Sequence, residues 1–122
     1  MTLRTGRLLY ALSGWIDGYP PNRERDPEAL LYHRVCKVTE ECGEAVAALI
    51  AATGQNPRKG RSATLAGVEK ELLDVAVAAL AAIAHLHADD PEPPELEELL
   101  AAHVEGVAER VGLEVSARPP GR

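Results

Sequence analysis

Between Thr64 and Ala88 the chain carries apolar side chains on almost every side of a helical wheel. A helix of that kind must be covered on more than one face, so it demands partners within the chain, or in a second copy of it. Two acids interrupt the segment near its start, Glu71 and Asp74 in KELLDVA. With Glu71 at 0° and roughly 100° per residue, Val75, Val68, Ala79, Leu72 and Ile83 fall at roughly 40–120°, and Leu80, Leu73 and Val77 at roughly 180–240°. The second group is the face assigned to a homo-oligomer.

Three further helical segments are predicted. The first runs from Thr2 to Asp17 with Leu8, Leu9, Leu12, Trp15 and Ile16 as its apolar stripe, and Gly18-Tyr19-Pro20-Pro21 ends it ahead of a charged loop over Asn22–Asp26. The second opens at Asp26-Pro27, an N-cap followed by proline at the first position, and runs to about Ala52, where Thr53-Gly54 stops it. The Thr64–Ala88 segment is third, starting after Ser62 or Thr64. The fourth carries Leu96, Leu99, Leu100, His103, Val104, Val107 and Val111 and ends near Gly112. Apart from a short extended end at Leu113-Glu114-Val115, no segment alternates as a strand would. The expectation is an all-α, four-helix bundle-type protomer, one domain over residues 1–115, with 116–122 as a disordered tail. There is no Phe and 3% aromatic residues, so the core must be Leu, Val, Ile and Ala.

The formal net charge is −6, which disfavours a nucleic-acid polymer as partner. The longest strongly apolar run, Val75 to Ala84, is too short to span a bilayer, and no signal peptide is read. A cytoplasmic location, without a membrane, is the expectation. Cys36 and Cys42, six apart on one predicted helix, cannot bridge to each other and read as small buried thiols.

The second helix carries acids of its own, Glu40, Glu41 and Glu44 in KVTEECGEA. Glu41 and Glu44, like Glu71 and Asp74, are three apart, hence on one helix face and about 5–6 Å from each other. With Glu41 at 0°, Val38, Leu49, Cys42, Leu31 and Val35 fall at roughly 60–120° and Glu44 at roughly 300°, so the acids border the apolar stripe. If the two helices pack side by side, four carboxylates meet. Unit charges 5 Å apart repel by about 3 kcal/mol at an effective dielectric near 20. Such a group calls for a cation, and hard oxygen ligands suit Mg²⁺ or Mn²⁺. Between the helices, Gln55-Asn56-Pro57-Arg58-Lys59-Gly60-Arg61 adds a cationic loop of the kind that grips phosphate.

Glu40-Glu41-Cys42-Gly43-Glu44, then 26 residues, then Glu71-Leu72-Leu73-Asp74, together with TGQNPRKG, resemble the MazG-like nucleoside triphosphate pyrophosphohydrolases of the all-α NTP pyrophosphatase superfamily. The resemblance covers about Leu31 to Ala84. It implies a protomer of that superfamily's kind, assembled as a homodimer or larger, that hydrolyses a nucleoside or deoxynucleoside triphosphate at the α–β phosphoanhydride. Glu41, Glu44, Glu71 and Asp74 would hold Mg²⁺, with Mn²⁺ as substitute, and Glu40 would act as base or orient a ligand.

Lys37, one turn before Glu41, reads as a phosphate contact or, more simply, as an i,i+4 ion pair. Arg58 and Lys59 are candidate phosphate contacts, and Asn56 reads a base or forms a turn. Trp15 is a core residue or a stacking platform. His33, His85, His87 and His103 make no metal pattern with the acids. Two other readings compete: a non-catalytic helical module that binds nucleotide, metal or a partner, and a phosphoribosyl-ATP pyrophosphatase-like enzyme, from which TGQNPRKG points away. A di-iron bundle would need Glu-x-x-His pairs, which the chain lacks at those offsets.

Overall fold

The computed structural model describes residues 3–114, and every regular element in that range is a helix. The order is α1 (Leu3–Gly18), α2 (Pro20–Arg23), α3 (Pro27–Thr53), α4 (Leu65–Leu86) and α5 (Leu96–Arg110). Among the described residues no helix is long and apolar enough to cross a membrane. The predicted tail, and Val115 of the predicted extended end, lie outside the described residues; Leu113 and Glu114 are in no strand.

Local chemistry sets the long boundaries. The Asp26 carboxylate accepts from the N–H groups of Glu28 and Ala29, with Pro27 next in line. Gly54 closes α3 at φ 70°, a left-handed position that glycine takes without steric cost. The Thr64 hydroxyl caps α4 through the N–H of Gly67. The expected four helices become five because Pro20-Pro21 starts a short helix instead of only ending one. Prolines fit the first turn, where the missing N–H has no intrahelical partner.

α3 and α4 run antiparallel as the principal pair, and α1 lies across α4 and α5. The core is small: Leu9, Ala84 and Leu96, with Tyr10, Leu80 and Ile83 packed against it. Leu30, Ala45, Ala52, Ala81 and Ala82 are also buried, so the helices meet largely on alanine.

The covered faces differ from those predicted. On α1 the buried residues are Gly6, Leu9 and Ser13, while Leu8 and Leu12 are exposed and Trp15 is 66% exposed. Trp15 is therefore not a core residue; its ring lies 6.0 Å from that of Tyr19. The inner face of α1 is polar because it bonds three other helices. Arg34 of α3 donates through Nη2 to the Ser13 carbonyl at 3.0 Å and to the Ser13 hydroxyl, and its Nε lies 3.3 Å from Asp17 Oδ1. His85 Nδ1 of α4 meets Asp17 Oδ2 at 2.6 Å. Glu97 Oε2 of α5 accepts the Gly6 N–H at 2.9 Å. A Cβ at position 6 would fall 1.8 Å from Glu97 Oε1, so glycine is what lets the carboxylate cap α1.

On α3 the buried residues are Leu30, Arg34, Ala45 and Ala52, which cluster within roughly 40° of the Glu41 direction on the wheel. The seam is thus rotated by roughly 80° from the expected stripe. Val35, Val46 and Leu49 are exposed, and so are Cys36 and Cys42, which corrects their reading as buried thiols. Leu72, Leu73 and Val77 of α4 and Leu99, Leu100, Val104 and Val107 of α5 are exposed as well.

The accessible surface is 9148 Å², against about 6,300 Å² for a compact monomer of this mass. Among the described residues, α1, α3, α4 and α5 each expose large apolar side chains, Leu8, Val46, Leu72 and Val104 among them.

Candidate metal centre

Rotation of the α3 seam puts Glu41 inside it. The Glu41 side chain is 12% exposed, and its Oε2 is buried with no hydrogen-bond partner among the described residues. Across the seam, Glu71 Oε2 of α4 is in the same condition. One carboxylate oxygen from each of Glu41, Glu44 and Glu71 lies within 4.8 Å of the other two. Adjacent oxygens on an octahedral Mg²⁺ are about 3 Å apart and opposite ones about 4.2 Å, so the three would have to draw together to share one ion.

Lysines hold the outer oxygens. Lys37 Nζ sits 3.1 Å from Glu41 Oε1 and 3.2 Å from Glu40 Oε2. Lys70 Nζ sits 2.9 Å from Asp74 Oδ2 and 3.6 Å from Glu71 Oε1. The two cations thus neutralise the rim and leave Oε2 of Glu41 and of Glu71 facing inward. The Lys37 pKa is raised, first by its hydrogen bond to Glu41 and then by that to Glu40; that of Lys70 is raised first by its bond to Asp74. The Glu44 carboxyl is also raised above its ordinary value, chiefly by the negative charge of Glu41.

The structure brings three of the four expected ligands together. Asp74 is outside that trio; it pairs with Lys70 and lines, with Glu41, a cleft between α1, α3 and α4. Glu40 is exposed and pairs with Lys37. Lys37 forms the i,i+4 pair that is the simpler of its two readings. Asn56 shapes a turn, its Oδ1 accepting the Arg58 N–H at 3.0 Å. Arg58 and Lys59 are exposed, and neither side chain has an ion pair among the described residues. Their loop begins past Thr53, about 14 Å along the α3 axis from Glu44, so it flanks the acids without touching them.

Sequence reasoning missed the Ser13–Asp17–Arg34–His85 network. Its one legible signal is Arg34, seven residues before Glu41 and so on the same side of α3. A fully buried charge needs a partner, and Asp17 and Ser13 supply it.

No protein-family model, characterised protein or solved structure matches this chain. The functional reading therefore rests on the motif spacing and on this geometry.

A carboxyl whose folded pKa is raised binds its proton more tightly folded than unfolded. Its unfavourable interaction is absent below the ordinary carboxylate range and is felt fully once pH rises past the raised value. Without divalent cation, Glu44→Gln is therefore expected to melt above the parent at pH 7.5, and the difference is expected to shrink towards pH 4. Added Mg²⁺ should raise the parent's melting temperature more than the variant's. Thermal melts with EDTA and with Mg²⁺ read both effects; a variant that melts below the parent in EDTA at pH 7.5 contradicts the repulsion.

Proposed function

We propose that this chain is a MazG-like nucleoside triphosphate pyrophosphohydrolase. On this reading it cleaves the α–β phosphoanhydride, so that triphosphate and water yield monophosphate and pyrophosphate. The observation that carries the reading is the cluster of one carboxylate oxygen each from Glu41, Glu44 and Glu71, with a buried, unpartnered oxygen on both Glu41 and Glu71. A buried acceptor without a donor costs about 1–3 kcal/mol, more when charged. That cost is offset when the oxygens ligate a cation.

Glu41, Glu44 and Glu71 are the ligands proposed, with Asp74 joining when it leaves Lys70. Bound Mg²⁺, or Mn²⁺, would neutralise phosphate charge and lower the pKa of a coordinated water. Lys37 and Lys70, at the rim, are placed to exchange a carboxylate partner for a phosphate oxygen. Glu40, exposed and paired with Lys37, would take a proton from water at the rim once Lys37 turns to phosphate. Arg58 and Lys59 would meet the outer phosphates if their loop folds towards the acids. Trp15, also exposed, is open to a base.

The assembly proposed is a homodimer or larger. Its support is the exposed apolar surface of α3, α4 and α5 together with the small internal core. A soluble, cytoplasmic protein is the accompanying proposal.

Pyrophosphate release from a panel of NTPs and dNTPs with Mg²⁺ tests the activity. Turnover of at least one nucleotide is expected. Glu71→Gln should lower it by at least about a hundredfold, since even outer partners of metal ligands are worth 10–100-fold, with helical content by circular dichroism unchanged. Release from none of the nucleotides by folded protein would sink the hydrolase reading in favour of a binding module. Light scattering after size exclusion should give a dimer or larger at micromolar concentration; a monomer would contradict the assembly.

A further inference from the structure

Val35, Val38, Cys42, Val46 and Leu49 lie within roughly 60–140° of Glu41 on the α3 wheel, to one side of the buried seam. Val35, Val46 and Leu49 are exposed, as is the Cys42 thiol, and Val38 is half-buried. Glu41 and Glu71 face each other across an antiparallel pair, so an equal rotation in the same sense on α4 reaches the same side. A rotation of roughly 100° from Glu71 arrives at Leu72, which is exposed. α1 covers the opposite side, where Leu12 and Ile16 share a cleft with Lys37 and Asp74. The α3–α4 pair thus has one covered face and one open apolar face.

The pattern of the open face on α3 is symmetric about Cys42. Val38 and Val46 stand four residues to either side of it, and Val35 and Leu49 seven. A two-fold interface is self-complementary: residue i meets j, and j meets i. An antiparallel second α3 crossing at Cys42 therefore sets valine on valine and Val35 on leucine, twice over. The ends are complementary in charge. Asp26 and Glu28 open α3, and Arg58 and Lys59 follow its close. Glu28, Arg58 and Lys59 have no ion pair among the described residues. Position 26 mirrors position 58 about Cys42, so acid meets base at both ends. The area also suits a stable dimer. The 22 residues of α4 run roughly 33 Å and two helices side by side span roughly 20 Å. That gives about 660 Å², close to the roughly 800 Å² that each partner contributes to a standard interface.

We infer that a second copy of this chain packs on this face, α3 antiparallel to α3, with Cys42 meeting Cys42 of the partner subunit on the two-fold axis. The inference rests on the assembly proposed above and gives it a face and a register. Helices about 10 Å apart, with Cα atoms at a radius of about 2.3 Å, hold facing Cα atoms about 5 Å apart. A disulfide spans roughly 4.4–6.8 Å between Cα atoms. Cys36 lies roughly 120° from Cys42 on the wheel and is off the face.

Thiol exchange with glutathione disulfide reads the register. Cys42 of a dissociated copy attacks the disulfide and releases one glutathione thiol. After reassembly, Cys42 of the partner subunit attacks the mixed disulfide and expels the second, so two cysteine protons end on two glutathione thiols. Non-reducing electrophoresis should show cross-linked dimer for the parent and for Cys36→Ser, and none for Cys42→Ser. Val46→Glu alters a side chain that is 56% exposed in the single chain. It should at least halve the mass seen by light scattering, with helical content unchanged; if it fails to fold, the cross-link decides alone. An assembly whose mass Val46→Glu leaves unchanged, or one that gives no Cys42 cross-link, uses another face and overturns the inference while the assembly stands. A monomeric parent overturns both. None of these readings involves nucleotide, so the hydrolase reading is tested separately.

Discussion

The α3–α4 seam holds charge where a helical pair ordinarily holds leucine. Glu41 lies on the same side of α3 as Leu30, Ala45 and Ala52, and Glu71 faces it from α4, each with one carboxylate oxygen sealed from solvent. Removing a carboxylate from water costs several kcal/mol even after relaxation. The structure lowers that cost on one side only: Lys37 and Lys70 take the outer oxygens. Alanines at the helix contacts let the two backbones approach closely enough for the acids to converge. Elsewhere a buried charge meets its opposite: Arg34 lies against Asp17 and bonds Ser13, although its Nε and Asp17 Oδ1 make no hydrogen bond among the described residues. The two networks differ in sign: Arg34 and Asp17 attract, whereas Glu41 and Glu71 are like charges that converge with the exposed Glu44.

The same inversion governs the outer surface. Because α1 turns a polar face inward to bind Arg34, His85 and Glu97, its Leu8, Leu12 and Trp15 face outward. Because the α3 seam is centred on Glu41, Val35, Val46 and Leu49 are left uncovered. Polar residues inside and apolar residues outside are the pattern on which the proposed assembly rests.

The helices were legible in the sequence wherever backbone chemistry is local. Asp26-Pro27, Thr53-Gly54 and Thr64 mark their ends by capping and by a left-handed glycine, and those rules need no tertiary information. Pro20-Pro21 misled because prolines that end one helix can begin the next. The faces were less legible, since the wheel assumes that the most apolar side is the buried one. Arg34 and Asp17 lie on faces that α1 and α3 turn towards each other, which a count of apolar residues does not anticipate. The spacing Glu41-x-x-Glu44 and Glu71-x-x-Asp74 made the acids recognisable. Which oxygens are sealed, and that Asp74 turns to Lys70 instead of joining the trio, depends on interhelical packing that spacing does not encode.

The central claim is that Glu41, Glu44 and Glu71 form a centre for a divalent cation. Mn²⁺ titration followed by electron paramagnetic resonance tests it without reference to turnover or substrate. The account predicts saturable binding by the parent chain, competition by Mg²⁺, and loss of that binding in Glu41→Gln with the helical fold intact. Absence of saturable binding by the folded parent, or binding that survives Glu41→Gln unchanged, would contradict it.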